Sequence, residues 1–386
     1  MKICTVIGVR PQFVKAAEVS RAIEEHNKKL IIRNDELEIS EGKLISEVII
    51  HTGQHFDDNM SASFFRDLGL PVPNYDLGTG RGSASADIIN QMITGIESVL
   101  LTEQPDAVLI YGDTNSSLAG ALAADKLHIP VIHIEAGERA GLKTNLEERN
   151  RVEIDKISSL LLCSSEQAVS NLADEGISND VYFVGNLMED SFLHNINKSW
   201  QRNLINLINH SLVAVPEEFC YLTCHRQENA NDKNLTEILS AMNTLPYPTI
   251  YPVHPRNKDR VRRIIDRLGG FSNIIFTEPA GYFDSIHLTN EAQVVVTDSG
   301  GVLQEAHFAQ TPYVFVLDAD NVPASTRFDV SRLAKPDRED IVRRVAAKQH
   351  FGQKPRVIGV TAERIVEIIS EWIKKEFSVS MGDGFA

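Results

Sequence analysis

Cysteine is scarce in this chain of 386 residues, and the four that are present are scattered. They are Cys4, Cys163, Cys220 and Cys224, of which the last two flank the tripeptide YLT with no second pair nearby. A structural zinc site needs closely spaced groups of Cys or His ligands, so this spacing argues against one. We expect reduced cysteines in or near strands and no metal site.

Long apolar runs are also missing. No stretch approaches the roughly 18 residues that suggest a membrane span. The N-terminal segment MKICTVIGVR carries one lysine and an apolar run that stops at Gly8, which is too short for a secretory signal peptide. We therefore expect a cytoplasmic protein that makes no membrane contact.

Positive charge is in deficit, because 38 Lys and Arg stand against 53 Asp and Glu, for a net charge of −15. Nucleic-acid-binding proteins need a basic footprint to displace the counterions of the phosphate backbone. The balance thus argues against a nucleic-acid partner. An acidic enzyme can still take an anionic small molecule where cations are concentrated locally.

The length fits two domains, with continuous apolar runs that alternate with helical patterns. Such runs are typical of parallel strands buried on both faces, and the alternation predicts βαβ units. The runs are residues 2–8, 46–53, 106–113, 130–137, 158–165 and 181–186, then 219–225, 249–255, 273–279, 292–301 and 313–320. The predicted fold class is therefore α/β, with two Rossmann-like domains facing across a cleft.

We predict a first domain over 1–188 and a second over 189–362, with a C-terminal helix at 363–380 that packs back on the first. The polar, Asn-rich stretch 190–216 is interpreted as the connection between them. Residues 27–45, which are rich in charge, are expected to form a peripheral hairpin or excursion without a chemical role.

Two strand ends carry anion-binding patterns. In GVRPQFVKA, Gly8 permits a tight turn before a helix that Pro11 begins, with Arg10 and Lys15 nearby. In TDSGGVLQEA, Ser299, Gly300 and Gly301 lie between a strand and a helix, where backbone N–H groups can face a pyrophosphate. Glu305 follows about one turn later, where its carboxylate could hold a ribose diol. The alternative is a pair of turns that bind nothing.

Carboxylates follow two further strands. Asp113 comes after its strand in YGDTNSS, and Glu135 lies at the end of the run IPVIHIE. Glu147 and Glu148 follow in LEERNR. Each has a structural alternative, since Asp caps helices and acidic residues complement a helix N-terminus.

Histidines end two strands of the second half: His225 with Arg226 in TCHRQEN, and His254 with Arg256 in YPVHPR. Either histidine could simply cap the next helix. Taken together, three carboxylates and cationic phosphate contacts suit proton abstraction from a nucleotide-linked substrate.

At this point the chain resembles a known family. GVRPQFVKA, HTGQHFDDNM, YGDTNSSLAGALAA, HIEAG, CHRQEN, YPVHP and TDSGGVLQEA occur in the order seen in the non-hydrolysing UDP-N-acetylglucosamine 2-epimerases. The resemblance spans about residues 1 to 370 and is closest to the branch that acts on UDP-2,3-diacetamido-2,3-dideoxyglucuronate. It implies a GT-B-type fold, a UDP-sugar substrate, a homodimer, and neither metal nor nicotinamide.

The resemblance also implies a mechanism, in which UDP is eliminated to give a 2-acetamidoglycal and is then added back with C2 inverted. Residue by residue, it implies acid/base roles for Asp113, Glu135 and Glu147, and places His225 near the diphosphate. It implies substrate contacts for a larger set, namely Arg10, Lys15, Gln54, His55, His254, Ser299, Gly300, Gly301 and Glu305.

This chain departs from the family pattern at several positions. Glu138 stands where the family has leucine, Leu146 where it has proline, and Leu303 where it has glutamine. The segment 317–324 carries Leu317, Ala319, Val322 and Ala324 where arginine, threonine, arginine and glutamate are expected. Losing two arginines beside an anionic ligand should weaken its binding, because charge-assisted hydrogen bonds are stronger than neutral ones. We therefore expect the part of the site that binds the sugar to differ from that of the family. A hydrolysing 2-epimerase, a GT-B glycosyltransferase and a binding protein without turnover are the alternative functions.

Overall fold

Parallel strands form the frame of this protein, whose computed structural model describes residues 1–37, 44–54, 65, 68–79, 85–139, 146–317, 332–347 and 360–382. The chain divides into two compact units, one of Met1–Ser191 with Val357–Ala386 and one of Phe192–Arg356. Each unit is built on its own parallel sheet. The predicted α/β class with two Rossmann-like sheets is thus confirmed.

The sheet of the first unit has the strand order β3-β2-β1-β4-β5-β6-β7. Its strands are β1 (Lys2–Ile7), β2 (Ser46–His51), β3 (Tyr75–Asp76), β4 (Ala107–Tyr111), β5 (Val131–Ala136), β6 (Leu160–Cys163) and β7 (Val181–Phe183). Its helices are α1 (Arg10–Leu37), α2 (Ser85–Glu103), α3 (Asn115–Lys126), α4 (Leu146–Ile157), α5 (Glu166–Asp174), α6 (Leu187–Asn195) and α12 (Val360–Gly382). Of these, α6 runs across the boundary between the two units.

The sheet of the second unit has the order β12-β11-β10-β13-β14-β15, beside a small antiparallel hairpin. Its strands are β10 (Cys220–Thr223), β11 (Thr249–Pro252), β12 (Ile274–Thr277), β13 (Val294–Thr297), β14 (Tyr313–Val316) and β15 (Leu333–Ala334), with β8 (Asn203–Ile205) and β9 (Leu212–Ala214) forming the hairpin. Its helices are α7 (Asp232–Met242), α8 (Lys258–Leu268), α9 (Tyr282–Glu291), α10 (Gly300–Ala309) and α11 (Arg338–Ala346).

Each sheet has one point where the strand order reverses direction. It lies between β1 and β4 in the first unit and between β10 and β13 in the second. At such a reversal point the connections from the two adjacent strands run to opposite faces of the sheet, which leaves a crevice beyond the carboxyl ends of the strands. Open α/β sheets bind their ligands in this crevice. The loops after these four strands are therefore where a site is expected.

The described C-terminal helix packs on the first unit, where α12 contacts α1. Its N-terminus is capped by the buried Asp190 of α6, whose Oδ2 accepts hydrogen bonds of 3.0 Å from the backbone N–H groups of both Thr361 and Ala362. Burial raises the pKa of the Asp190 carboxyl, and these hydrogen bonds partly offset that rise. No helix among the described residues is long and apolar enough to cross a membrane.

The structure corrects two local predictions. The predicted excursion at 27–45 is helical over its first part, because α1 continues to Leu37, through a sequence of mostly good helix formers without Gly or Pro. The predicted connection at 190–216 does contain the boundary between the units, at Ser191 and Phe192, but it is not an irregular linker, because it holds the end of α6 and the hairpin β8–β9.

Candidate active site

The loops after β1 and β4 are joined by one buried side chain, Gln12 of α1, which is 2% exposed. Its Oε1 accepts from the backbone N–H of Gly8 at 2.7 Å, and its Nε2 donates to the backbone oxygen of Tyr111 at 2.9 Å. The same amide group donates to Ser117 Oγ at 2.8 Å. The start of α1, which carries the half-buried Arg10, is therefore fixed to the loop that carries Asp113.

Gly8 lies in a close approach of three elements. A Cβ there would overlap the hydroxyl oxygens of Ser116 and Thr52, which hydrogen-bond to each other at 2.8 Å. Close packing, rather than the tight turn expected from the sequence, thus requires glycine. Gln54 joins this cluster, since its Oε1 accepts from the N–H and Oγ of Ser116 at 3.1 and 2.7 Å. The predicted site residue His55 lies outside the described residues.

Glu135 occupies an unusual backbone position. The register between β5 and β6 shifts between Ile134 and Ala136, and Glu135 at this irregularity has a φ of +72°. A bulge re-aims a side chain, and a non-glycine residue at positive φ costs on the order of 1–3 kcal/mol. The carboxylate forms an ion pair with Lys15 of α1, which is 9% exposed. The sequence therefore placed both residues at the site but did not show that they contact each other.

Asp113 is held by helix α4. The guanidinium of Arg151 pairs with its carboxylate and lies 3.4 Å from Glu148 Oε2. Asn150 Nδ2 donates to the backbone oxygen of Asp113 at 3.0 Å. Sequence reasoning missed Arg151, although its i, i+3 spacing from Glu148 was a signal that the helix presents a charged face.

Glu147 lies in the exposed first turn of α4, on the helix that also carries Arg151. Both the structural alternative, an acid that complements the helix dipole, and the acid/base role are compatible with this position. The structure thus brings Lys15 to Glu135 and Arg151 to Asp113, and places Glu147 on the helix that holds Asp113.

In the second unit, Ser299 caps the N-terminus of α10, where its Oγ accepts from the N–H of Val302 at 3.4 Å. Among the described residues, a Cβ added at Gly300 would meet no atom within 4 Å, and one at Gly301 would meet only Ser299 Oγ at 3.9 Å. Packing against the described part of the chain therefore does not require these glycines. Residues without a Cβ at an open helix N-terminus fit the close approach of an anion.

His225 and Asp298 come from the two strands that flank the reversal point of this sheet. His225 Nδ1 lies 3.0 Å from Asp298 Oδ1. The carboxylate also accepts from the N–H groups of His225 and Arg226, at 2.9 and 3.1 Å, and from Asn229 Nδ2 at 3.2 Å. Burial raises the pKa of the Asp298 carboxyl, but the hydrogen bond and charge of His225, together with the other donors, outweigh burial and hold it below its usual value.

Asp298 is 1% exposed, whereas the side chain of His225 is 41% exposed. Because Nδ1 faces the buried carboxylate, the opposite ring nitrogen is directed away from it and can meet a ligand. Sequence reasoning missed Asp298. The available signal was its position directly after an apolar strand, before the Ser-Gly-Gly turn. Asp113 was predicted because it also directly follows an apolar strand.

His254 acts as a cap, because its Nδ1 accepts from the N–H of Arg256 at 3.2 Å. Arg256 in turn donates from Nη1 to the backbone oxygen of His225 at 3.1 Å, and the His225 and His254 rings are 5.9 Å apart. Glu305, predicted to hold a ribose diol, lies inside α10 at 5% exposure. Its role stays a prediction.

Three departures from the family pattern now have a structural setting. Glu138 accepts from the hydroxyls of Ser164 and Ser165 at 2.6 and 3.2 Å, so it stabilises the start of α5. Leu303 is buried in the core beside β13 and β14, and Leu146 is 56% exposed at the start of α4. Leu317 is fully buried, while the other positions named in 317–324 lie outside the described residues.

The described residues contain no group of three or more His, Cys, Asp or Glu placed to hold a metal ion. The four cysteines are unpaired and buried, and burial raises the pKa of the Cys4, Cys163 and Cys220 thiols to about 12. Such thiols stay protonated at neutral pH and are poor nucleophiles. The chemistry available in the described strand-end loops is that of carboxylates, cations and backbone N–H groups.

Comparison with known proteins gives consistent matches. Residues 37–370 match the family model of UDP-N-acetylglucosamine 2-epimerase. The chain is 41% identical over 325 residues to UDP-2,3-diacetamido-2,3-dideoxy-D-glucuronate 2-epimerase of Pseudomonas aeruginosa, which covers 82% of this chain and 84% of that protein. It is 34% identical over 381 residues to UDP-N-acetylglucosamine 2-epimerase of Methanocaldococcus jannaschii, which covers 96% and 99% of the two chains.

A solved structure agrees with these matches. The crystal structure of the Methanocaldococcus jannaschii UDP-GlcNAc 2-epimerase in complex with UDP-GlcNAc and UDP is similar with a TM-score of 0.76. Its sequence is 32% identical, and the match covers 96% of this chain and 100% of that chain.

Proposed function

This chain belongs to the UDP-N-acetylglucosamine 2-epimerase family, and on that premise we propose that it inverts C2 of a UDP-linked N-acetylated amino sugar, UDP-GlcNAc or a derivative of it. The observation that carries the proposal is the ion pair of Lys15 with Glu135, whose carboxylate is placed by a strained bulge at the carboxyl end of the sheet. Strain at such a position is typical of functional sites.

The reaction requires proton transfer at a carbon that is barely acidic. A base removes the C2 proton, the electron pair forms the C1–C2 double bond, and the C1–O bond to UDP breaks. The products are UDP and a 2-acetamidoglycal. UDP then returns to C1 as an acid delivers a proton to the other face of C2. We assign these proton transfers to Asp113, Glu135 and Glu147, because positioned carboxylates are suitable general acids and bases.

The leaving diphosphate needs stabilisation, which we assign to the second unit. The N–H groups at Ser299, Gly300 and Gly301 can bind its oxygens, and His225, oriented by Asp298, can donate a hydrogen bond to it. Donors placed where negative charge develops contribute on the order of 10²- to 10³-fold in rate each. Arg10, at the start of α1, is proposed as a further cation for the substrate.

The proposed reaction consumes no oxidant and needs neither metal nor nicotinamide. The 41% match to the diacetamido-glucuronate enzyme supports a sugar modified at C3 and C6 as one substrate class, and the Methanocaldococcus match supports UDP-GlcNAc. A homodimer and a cytoplasmic location stay predictions from the sequence.

The test is incubation with each UDP-sugar in deuterated water, followed by mass spectrometry and NMR. The proposal predicts deuterium at C2 in both epimers, with the UDP-sugar intact. UDP and free 2-epimer released in equal amounts would instead show a hydrolysing enzyme. Transfer to an acceptor without C2 exchange would show a glycosyltransferase, and UDP binding without any turnover would show a binding protein.

A further inference from the structure

A second histidine–aspartate pair lies beneath the proposed catalytic carboxylates and has no part in the function described so far. His133 of β5 is 0% exposed and Asp155 of α4 is 1% exposed. His133 Nδ1 lies 2.7 Å from Asp155 Oδ1, and Nε2 lies 3.0 Å from the backbone oxygen of Gly112. Neither side chain has surface with which to touch a substrate.

The ring is bonded at both nitrogens, to a carboxyl group and to a backbone carbonyl. A backbone carbonyl can only accept, so Nε2 carries a proton. The other oxygen of Asp155 accepts hydrogen bonds from Arg139 Nη1 at 2.8 Å and from the N–H of Gly137 at 3.1 Å. Burial raises the pKa of the Asp155 carboxyl, but the hydrogen bond and charge of His133 and the guanidinium of Arg139 outweigh burial and hold it below its usual value. Both ring nitrogens are therefore held by fixed partners, Asp155 on one side and the Gly112 carbonyl on the other.

This pair is attached to every element that carries a proposed acid/base group. Gly112 immediately precedes Asp113, and its N–H donates to the backbone oxygen of Ile134 at 2.9 Å. His133 itself stands two residues before Glu135 on the same strand. Asp155 belongs to α4, whose first turn carries Glu147. One buried hydrogen-bonded pair thus connects β4, β5 and α4 at the ends that carry Asp113, Glu135 and Glu147.

The pair also spans the bulge. Asp155 bonds to His133, which precedes the irregular residue Glu135, and to Gly137, which follows it. Gly137 has a φ of +75°, and a Cβ there would overlap the backbone oxygen of Ala168. The positive φ of Glu135 is unfavourable on its own and persists only where surrounding contacts determine it. Asp155 supplies such contacts, because its carboxyl group is hydrogen-bonded to His133, Gly137 and Arg139.

We propose that His133 and Asp155 are positioning residues, which hold the backbones at Asp113 and Glu135 in the geometry that proton transfer at C2 requires. The inference rests on the proposed function. A displacement of about 1 Å at a reacting group can cost on the order of 10²-fold in rate, so the pair acts on catalysis through other residues without touching the sugar.

The test compares His133→Gln with the double variant His133→Gln/Asp155→Asn and with wild type, all well below their melting temperatures. For His133→Gln, kcat for C2 deuterium exchange should fall on the order of 10²-fold, while KM and UDP affinity change by less than about 3-fold. If the pair acts as a unit, kcat of the double variant should be no lower than that of the single one.

His287→Gln is the matched control, because His287 is also buried, at 6% exposure, and lies 4.0 Å from Glu291. The kcat of this control should stay within about 2-fold of wild type.

A second readout addresses the ring directly. ¹⁵N NMR of the wild type should show a proton on His133 Nε2, which faces the Gly112 carbonyl oxygen, and an unprotonated Nε2 would overturn this contact. If His133→Gln left kcat unchanged, or lowered UDP affinity together with kcat, His133 and Asp155 would not be positioning residues for proton transfer. Their role would then be structural. Wild-type protein that exchanges no deuterium with any UDP-sugar would instead overturn the proposed function itself.

Discussion

Replacing Gly300 by alanine separates what the protein needs at the start of α10 from what a ligand needs there. The added Cβ meets no atom within 4 Å in the parts of the chain that the structure describes, and the residue has no positive φ. Replacing glycine by alanine where the backbone conformation suits alanine stabilises a protein by about 0.4–1 kcal/mol. Without ligand, Gly300→Ala should therefore be at least as stable as wild type, with a melting temperature up to about 2–4 °C higher for a domain of this size.

The same methyl group occupies the space that a diphosphate oxygen must enter to reach the backbone N–H groups. Hydrogen bonds to charged groups contribute about 1.5–3 kcal/mol, so losing one should weaken UDP binding by about 10- to 100-fold. Thermal unfolding without ligand and calorimetric titration with UDP measure the two effects in one preparation.

Gly281→Ala is the matched control, since Gly281 precedes α9 in the same unit and a Cβ there would meet, of the described residues, only Asp284 Oδ2, at 3.5 Å. Its UDP affinity should stay within about 2-fold of wild type. If Gly300→Ala bound UDP as tightly as wild type, the Ser299–Gly301 turn would be a turn without a ligand, and the diphosphate site would have to lie elsewhere.

Three further predictions follow from the described contacts. Asp298→Asn should keep the fold but weaken the preference for UDP over uridine by about 10-fold, because His225 loses its anionic partner; equal losses for both ligands, in a titration series, would contradict this role. Glu135→Gln should reduce C2 deuterium exchange by on the order of 10²- to 10⁴-fold with UDP binding retained, and turnover at the wild-type rate would remove Glu135 from the mechanism. Glu47 accepts hydrogen bonds from Thr5 Oγ1 at 2.5 Å and Ser20 Oγ at 2.6 Å, and burial raises the pKa of its carboxyl. The folded protein therefore holds this proton more tightly than the unfolded chain does, and the free energy of unfolding falls as pH rises above about 4.5. Relative to wild type, Glu47→Gln should therefore gain unfolding free energy between pH 5 and pH 8 in urea titrations, and a pH-independent difference would show that Glu47 titrates normally.

The strands were predictable because their physics is local. Runs such as 2–8 and 106–113 are continuously apolar, and they contain β1 and β4, which are buried on both faces. The position of Glu135 at a strand end followed from the same pattern. What the pattern could not show is the bulge, because the positive φ is imposed by contacts with residues that are distant in sequence.

The partners of the site residues were hidden for the same reason. Lys15 and Glu135 are 120 residues apart, and His225 and Asp298 are 73 apart, so no periodicity links them. Only the order of the strands brings their loops together. Likewise, the sequence showed Glu138 only as a departure from the family pattern, and sequence patterns alone could not show that it bonds to Ser164 and Ser165.

The central claim is proton exchange at C2 of a UDP-sugar. The most direct measurement is deuterium at C2 after incubation of the wild-type protein with UDP-GlcNAc, and separately with UDP-2,3-diacetamido-2,3-dideoxyglucuronate, in deuterated water. The account predicts incorporation into both epimers of at least one of them, with UDP still attached. UDP-sugars recovered without deuterium at C2, from protein shown to bind UDP, would contradict it.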